Sequence, residues 1–101
     1  MRARVLAEAE EETLRAMLYF EDLRQGLGAD FYHRVTETVL TIGKEPLQFP
    51  LYEGERMVRE FRRAPVARLP YINVYEVTEE ETLIVAVAHT SQEPGYWEPR
   101  D

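Results

Sequence analysis

The residues able to do chemistry gather near the end of the chain, in Val85-Ala86-Val87-Ala88-His89-Thr90-Ser91-Gln92-Glu93-Pro94-Gly95-Tyr96-Trp97-Glu98-Pro99-Arg100. This stretch joins the most apolar run to a polar hook that holds one of the two histidines, the only tryptophan and a late arginine. Histidine exchanges a proton near neutral pH and arginine carries a fixed charge, so acid–base work beside an anion is the chemistry these types offer. The structural alternative is a histidine that ends a strand and is hydrogen-bonded in place, with Tyr96 and Trp97 packing to pin the tail. A second gathering is cationic: Arg56, Arg59, Arg62, Arg63 and Arg68 put five of the 12 basic residues within thirteen positions, partly offset by Glu55 and Glu60. It reads equally as an edge strand protected by charge or as a binding patch.

The totals narrow the classes. With 12 basic against 19 acidic residues the net charge is −7, so the average field repels nucleic acid and anionic membrane, and argues against unassisted RNA binding. The absence of cysteine removes disulfides, thiolate chemistry and Cys-type zinc sites, and two histidines make a poor metal cluster. No metal and no cofactor are expected. Met1 to Glu12 turns acidic where a secretory signal would need an apolar stretch, and the strictly apolar run Leu83 to Ala88 is far short of a membrane span. A soluble cytoplasmic protein is expected, folded as a single domain over 1–101.

Those residues must be held by regular elements. Arg2 to Leu6 reads as a short first strand, and from Ala7 a helix runs to about Leu23, with Leu6, Ala9, Ala16, Met17, Phe20 and Leu23 on one face and Leu14 and Leu18 widening it. Glu8, Glu10, Glu11 and Glu12 lie in its first turns, where they oppose the positive end of the helix dipole. Gly26-Leu27-Gly28 breaks the helix and Asp30 is a candidate N-cap for a second one, whose stripe is Phe31, Val35, Val39 and Ile42 and which Gly43 closes. Tyr32 and His33 fall at its exposed rim. An irregular connector from Leu47 to Gly54 leads to a strand from about Val58 to Leu69, bulged at Pro65, with Arg59, Phe61 and Arg63 on one face and Arg62 on the other. Ile72 to Val77 and Thr82 to Ala88 form a hairpin around Thr78-Glu79-Glu80-Glu81, and the second, apolar throughout, should be central in the sheet. The fold class is therefore α+β, an N-terminal strand and an antiparallel helical hairpin packed on a mainly antiparallel sheet of about four strands.

Taken together the blocks resemble the RelE/ParE toxins of bacterial type II toxin–antitoxin systems. Carrying the resemblance are Ala9 through Tyr19-Phe20-Glu21, Gly26-Leu27-Gly28 with Phe31, and Ile42 with Pro46 and Phe49-Pro50. Phe61-Arg62-Arg63-Ala64 with Arg68-Leu69-Pro70-Tyr71 is similar to the family's arginine-bearing strand. Val85-Ala86-Val87-Ala88-His89 with Pro94, Tyr96-Trp97 and Arg100 is similar to its Ala-Val-x-His-x-Arg-Arg-x-Pro-x-Tyr-Trp ending. Ser91 and Gln92 stand where that ending has two arginines, which takes positive charge out of the region. The ending looks closer to ParE-like and plasmid-stabilisation members than to the RNases.

The resemblance implies a growth-inhibiting toxin, ParE-like, that binds and inhibits DNA gyrase and is neutralised by a cognate antitoxin whose disordered arm folds onto it; Leu14 and Leu18 would suit such an arm. Target contacts would fall on Arg62, Arg63, Trp97 and Arg100. The alternative is a RelE-like endoribonuclease that cuts mRNA on the ribosome. It would need His89 and Tyr96 for proton transfer and arginines, Arg68 among them, around the phosphate. A further alternative, motivated by Ser91 and Gln92, is a degenerate member that keeps antitoxin binding and poisons nothing.

Overall fold

The computed structural model describes residues 3–53 and 59–100. Chain order is β1 (Ala3–Val5), α1 (Ala7–Leu23), α2 (Leu27–Lys44), β2 (Arg62–Pro65), β3 (Tyr71–Val77) and β4 (Thr82–His89). One sheet of order β1-β4-β3-β2 results, with β1 parallel to β4 and the other neighbours antiparallel. The expected α+β architecture is the observed one, and the apolar β4 is central and buried on both faces.

The helices cover one face of the sheet because their buried positions suit close approach. In α1 the buried residues are Ala9, Thr13 and Ala16, a narrow line of small side chains that lets the helix lie close to β4. Thr13 donates its hydroxyl to the Ala9 carbonyl at 3.1 Å, so its burial leaves no unpaired donor. Leu23, expected on the buried face, is 61% exposed. In α2 the expected stripe holds: Phe31, Val35 and Ile42 are buried and Val39 packs against them. The helix runs through Gly43 to Lys44 rather than closing at the glycine.

The start of α2 differs from expectation for an electrostatic reason. Glu21 reaches forward from α1 and accepts the backbone N–H of Gly26 at 3.0 Å and that of Gly28 at 3.0 Å, supplying the acceptor that a helix N-terminus needs. With those groups taken, the helix begins a turn earlier than Asp30 would have set, and Asp30 pairs instead with Arg34 at 2.9 Å. Gly26 sits at φ 95°, which a glycine adopts without strain. Gly28 lies where the helices touch: a Cβ there would meet the Met17 carbonyl oxygen at 2.8 Å.

The second face of the sheet is covered by the chain's own tail. Phe61, Ile72, Val74, Val85 and Ala88 form a core with Leu6 and with Trp97, which is 1% exposed. The arginine-bearing segment is a much shorter strand than Val58 to Leu69. β2 spans only Arg62–Pro65, and Val66 to Pro70 make the turn into β3, with the Leu69 N–H bonded to the Val66 carbonyl at 3.2 Å and Arg68 at φ 64°. Arg56, Met57 and Val58 lie outside the described residues. The outer edge of β2 is closed by the connector: Tyr52 donates to Phe61 at 2.7 Å and Arg63 to Pro50 at 3.0 Å. The irregularity expected at Pro65 falls elsewhere. Pro65 pairs with Ile72 in register, whereas Val74 pairs with Ala86 and Tyr75 with Ile84, which leaves Val85 of β4 as the extra, bulged residue.

The contact at Gly28 generates a stability prediction. Gly28→Ala should lower unfolding free energy by about 1–3 kcal/mol, because backbone rather than a flexible side chain blocks the methyl group. Gly26→Ala should cost only the strain of a positive φ. Thermal melts of the two variants compare them, and equal melting temperatures for Gly28→Ala and the parent would contradict the close helix approach.

Candidate functional site

The hook after β4 starts from an edge problem. β1 pairs with β4 only as far as Val5↔Ile84, extended by the Leu6 N–H to the Ile84 carbonyl at 3.0 Å. Beyond that point the same edge of β4 has no strand beside it among the described residues, and the Val85 bulge turns a carbonyl out of the β3 ladder. A central apolar strand cannot leave these groups unpaired without a desolvation cost.

Two charged side chains stand in for the absent strand. Arg100 donates from Nη1 to the Val85 carbonyl at 3.0 Å, and the Val87 N–H donates to Oε1 of Glu12 at 3.0 Å. These two are themselves bidentately paired, Nη1 to Oε1 at 3.0 Å and Nη2 to Oε2 at 3.1 Å, with the Tyr96 hydroxyl donating to Oε2 at 2.6 Å. Glu12 thus accepts from a helix-to-strand contact, a tail arginine and a tail tyrosine at once. Its expected role as a helix-dipole residue gives way to this clasp, since a carboxylate 14% exposed needs partners that the first turn of a helix does not supply.

The clasp sets the chemistry of Tyr96. Burial first, then the hydrogen bond and charge of Glu12, push its hydroxyl far above the ordinary tyrosine range. For Arg100, burial alone would lower the value, but the hydrogen bond and charge of Glu12 outweigh it and raise it. Its guanidinium also lies 5.1 Å from the Tyr96 ring centroid. Tyr96 is therefore a held donor, and Arg100 a neutralised cation.

His89 lies at the other end of the hook. Its ring is carried on a relay of aromatic contacts, Phe20 to Phe31 at 5.1 Å, Phe31 to Tyr71 at 5.0 Å and Tyr71 to His89 at 5.1 Å between centroids. The Ser91 N–H donates to Nδ1 at 3.0 Å, the Ser91 hydroxyl lies 2.7 Å from the same nitrogen, and the His89 N–H donates to Oε1 of Gln92 at 2.8 Å. The neutral imidazole consequently carries its proton on Nε2. Ser91 and Gln92, which stand where arginines were expected, turn the strand end back into the tail.

The remaining candidates are spread out. Arg62 donates to the Phe49 carbonyl at 2.6 Å, and Arg63 lies over the Tyr52 ring at 5.6 Å. Arg59 holds the tail, donating to the carbonyls of Glu98 and Arg100 at 2.5 Å each and to Glu76 at 2.7 Å. Arg68 is exposed on the β2–β3 turn, at the His89 end of the sheet, where the Thr90 N–H bonds to the Pro70 carbonyl at 2.9 Å. Trp97 presents almost no surface. Leu14 and Leu18 are 48% and 70% exposed on α1. A groove of about 260 Å³ lies between clasp and histidine, lined by Glu12, Arg15, Tyr19, Tyr71, Val87 and Gln92. Glu12 and Arg59 were the residues missed as organisers of this region; the signal for Glu12 was a carboxylate one turn from the buried Ala9 and Ala16, and it was hidden among other glutamates. Among the described residues no helix is long and apolar enough to cross a membrane.

The clasp carries a pH dependence. A tyrosine whose folded value is raised adds stability that is fully present below its unfolded value of 10.0 and is lost as pH rises beyond it. Tyr71 and Tyr75 are raised as well, chiefly by burial. Urea unfolding at pH 8 and near pH 11 should therefore show a fall for the parent and a clearly smaller fall for Tyr96→Phe. Equal falls would show that the Tyr96 hydroxyl is not raised in the folded protein.

Comparisons with known proteins fit this architecture. The chain is similar to a solved chain described as the chromosomal ParDE TA system from P. aeruginosa, with a TM-score of 0.76 at 16% identity over 88% of this chain and 95% of that one, which is a likeness of fold. Curated protein sequences contain no match. The family model for the ParE toxin of the type II toxin–antitoxin system parDE matches residues 4–94, nearly the whole length, and the chain accordingly belongs to the ParE toxin family.

Proposed function

We propose that this ParE-family chain acts as a toxin that binds and inhibits DNA gyrase, and that a cognate antitoxin neutralises it. The observation that carries the reading is the commitment of Tyr96 and Arg100 to Glu12, which leaves His89, held through Nδ1 and open at Nε2 among the described residues, as the one remaining proton-transfer candidate. Nδ1 of His89 accepts from Ser91, and the Tyr96 hydroxyl donates to Glu12. RNA cutting by a 2′-hydroxyl needs a base, an acid and a cation arranged around one phosphate. Here Arg100 is neutralised by Glu12, and Arg62 is bonded to backbone. Inhibition by binding asks for none of this. It asks for a rigid surface, which the doubly clasped tail supplies.

For the antitoxin, α1 offers Leu14, Leu18, Tyr19 and Leu23, exposed at 48%, 70%, 60% and 61% along a single helix. Apolar side chains at i and i+4 are the pattern that a disordered arm covers when it folds on binding. The chain's acidic balance of −7 favours a basic arm.

Expression with and without the product of the neighbouring gene tests the toxin reading, and purified protein separates the targets. The expected outcome is growth arrest relieved by the neighbour's product, loss of gyrase supercoiling with the parent and with His89→Ala alike, and escape from neutralisation by Leu18→Asp. Normal growth on expression alone would favour the degenerate reading. Cleavage of mRNA on translating ribosomes that His89→Ala abolishes would replace gyrase by the ribosome as the target.

A further inference from the structure

We propose that Ser91 is a nucleophile activated by His89, and that it takes the acyl group of a neutral ester with a good leaving group. Ser91 is the only serine in the chain and lies exposed on the turn after β4. Its hydroxyl sits 2.7 Å from Nδ1 of His89. The backbone sets the direction of that bond. The Ser91 N–H donates to Nδ1 at 3.0 Å, so Nδ1 is the unprotonated nitrogen and the hydroxyl donates to it as well. A hydroxyl within hydrogen-bond reach of a histidine that is itself held in orientation is the arrangement that makes a serine nucleophilic.

Three contacts hold the imidazole. The Ser91 N–H fixes its tautomer, and the Tyr71 ring meets it edge to face with centroids 5.1 Å apart. The His89 N–H donates to Oε1 of Gln92 at 2.8 Å, while the Gln92 N–H returns to the His89 carbonyl at 3.0 Å. In the reaction the Oγ–H proton passes to Nδ1 as the bond from Oγ to the acyl carbon forms. The imidazolium then gives that proton to the departing oxygen as the ester bond breaks, leaving an acylated serine and a free alcohol or phenol. An ester with a good leaving group asks for no more than this, whereas an amide would also need donors fixed around its oxyanion. The groove lined by Tyr19, Tyr71 and Gln92 begins beside the histidine, and its aromatic walls suit an aryl leaving group. The net charge of −7, with Glu93 two positions from the serine, favours a neutral substrate over an anionic one.

Two probes test the assignment on the full chain: a neutral alkyl fluorophosphonate, which leaves a stable phosphonyl group on Oγ as fluoride departs, and p-nitrophenyl acetate. Peptide mass mapping should find the phosphonyl group on Ser91. The folded parent should acquire it at least about a hundredfold faster than the same chain in urea, and His89→Ala should lose that advantage. Ser91→Ala keeps the backbone N–H that holds the imidazole, so it should melt with the parent and isolates the hydroxyl. It should release nitrophenolate at least about tenfold more slowly than the parent. Equal labelling of the folded and unfolded chain would overturn the proposal, leaving Ser91 as a turn residue. Equal nitrophenolate release by Ser91→Ala would overturn it as well, because the imidazole itself would then be the nucleophile. Neither result depends on whether the chain inhibits gyrase.

Discussion

Glu12 is the point on which the rest of the molecule depends. β1 is too short to cover the edge of β4, and the bulge at Val85 adds an outward carbonyl to an already uncovered stretch. One carboxylate on α1 and one guanidinium from the tail complete the ladder in place of a strand. Each is mostly removed from water, and each is acceptable there only because the other neutralises it. The consequence is that helix, central strand and tail are joined through a single side chain, so none of the three can be repositioned independently.

The tail's course follows from that joint. With Arg100 and Tyr96 held at Glu12, the intervening Trp97 is pressed into the back of the sheet, where it meets Phe61 and Tyr52 edge to face at centroid distances of 6.2 and 5.1 Å. Arg59 closes the loop from the opposite side by gripping the Glu98 and Arg100 carbonyls while pairing with Glu76 of β3. The residues that look most chemical in the sequence thus build a lid over a hydrophobic face. A surface fixed in this way is suited to binding a partner in one geometry, and little of it is left to rearrange around a reacting phosphate.

Much of the fold was legible because its signals are local. The all-apolar run in β4 announced a strand buried on both faces, the stripe Phe31, Val35, Val39 and Ile42 announced α2, and the acidic turn before Thr82 announced a hairpin. What escaped were contacts between distant parts of the chain. Only its spacing from the buried Ala9 and Ala16 sets Glu12 apart from Glu10 and Glu11, since its partners lie 75 to 88 positions away. Nor could local spacing show that Glu21 would displace Asp30 at the start of α2, or that Ser91 and Gln92 would tie His89 into the tail rather than merely thin the positive charge. The arginines looked like one patch because they are close in sequence; the strand and turn they occupy send Arg59, Arg62, Arg63 and Arg68 to different neighbours.

Membership of the ParE family gives this architecture its setting, and the clasp at Glu12 is what ties its helix, central strand and tail together. The most direct measurement is native-state hydrogen exchange at the Val87 amide, in the parent and in Glu12→Ala. If Glu12 completes the ladder, Val87 is among the slowly exchanging amides of the parent, and the variant speeds its exchange by at least about tenfold relative to the other β4 amides. A Val87 amide that exchanges at loop rates in the parent, or whose protection is untouched by Glu12→Ala, would contradict the account.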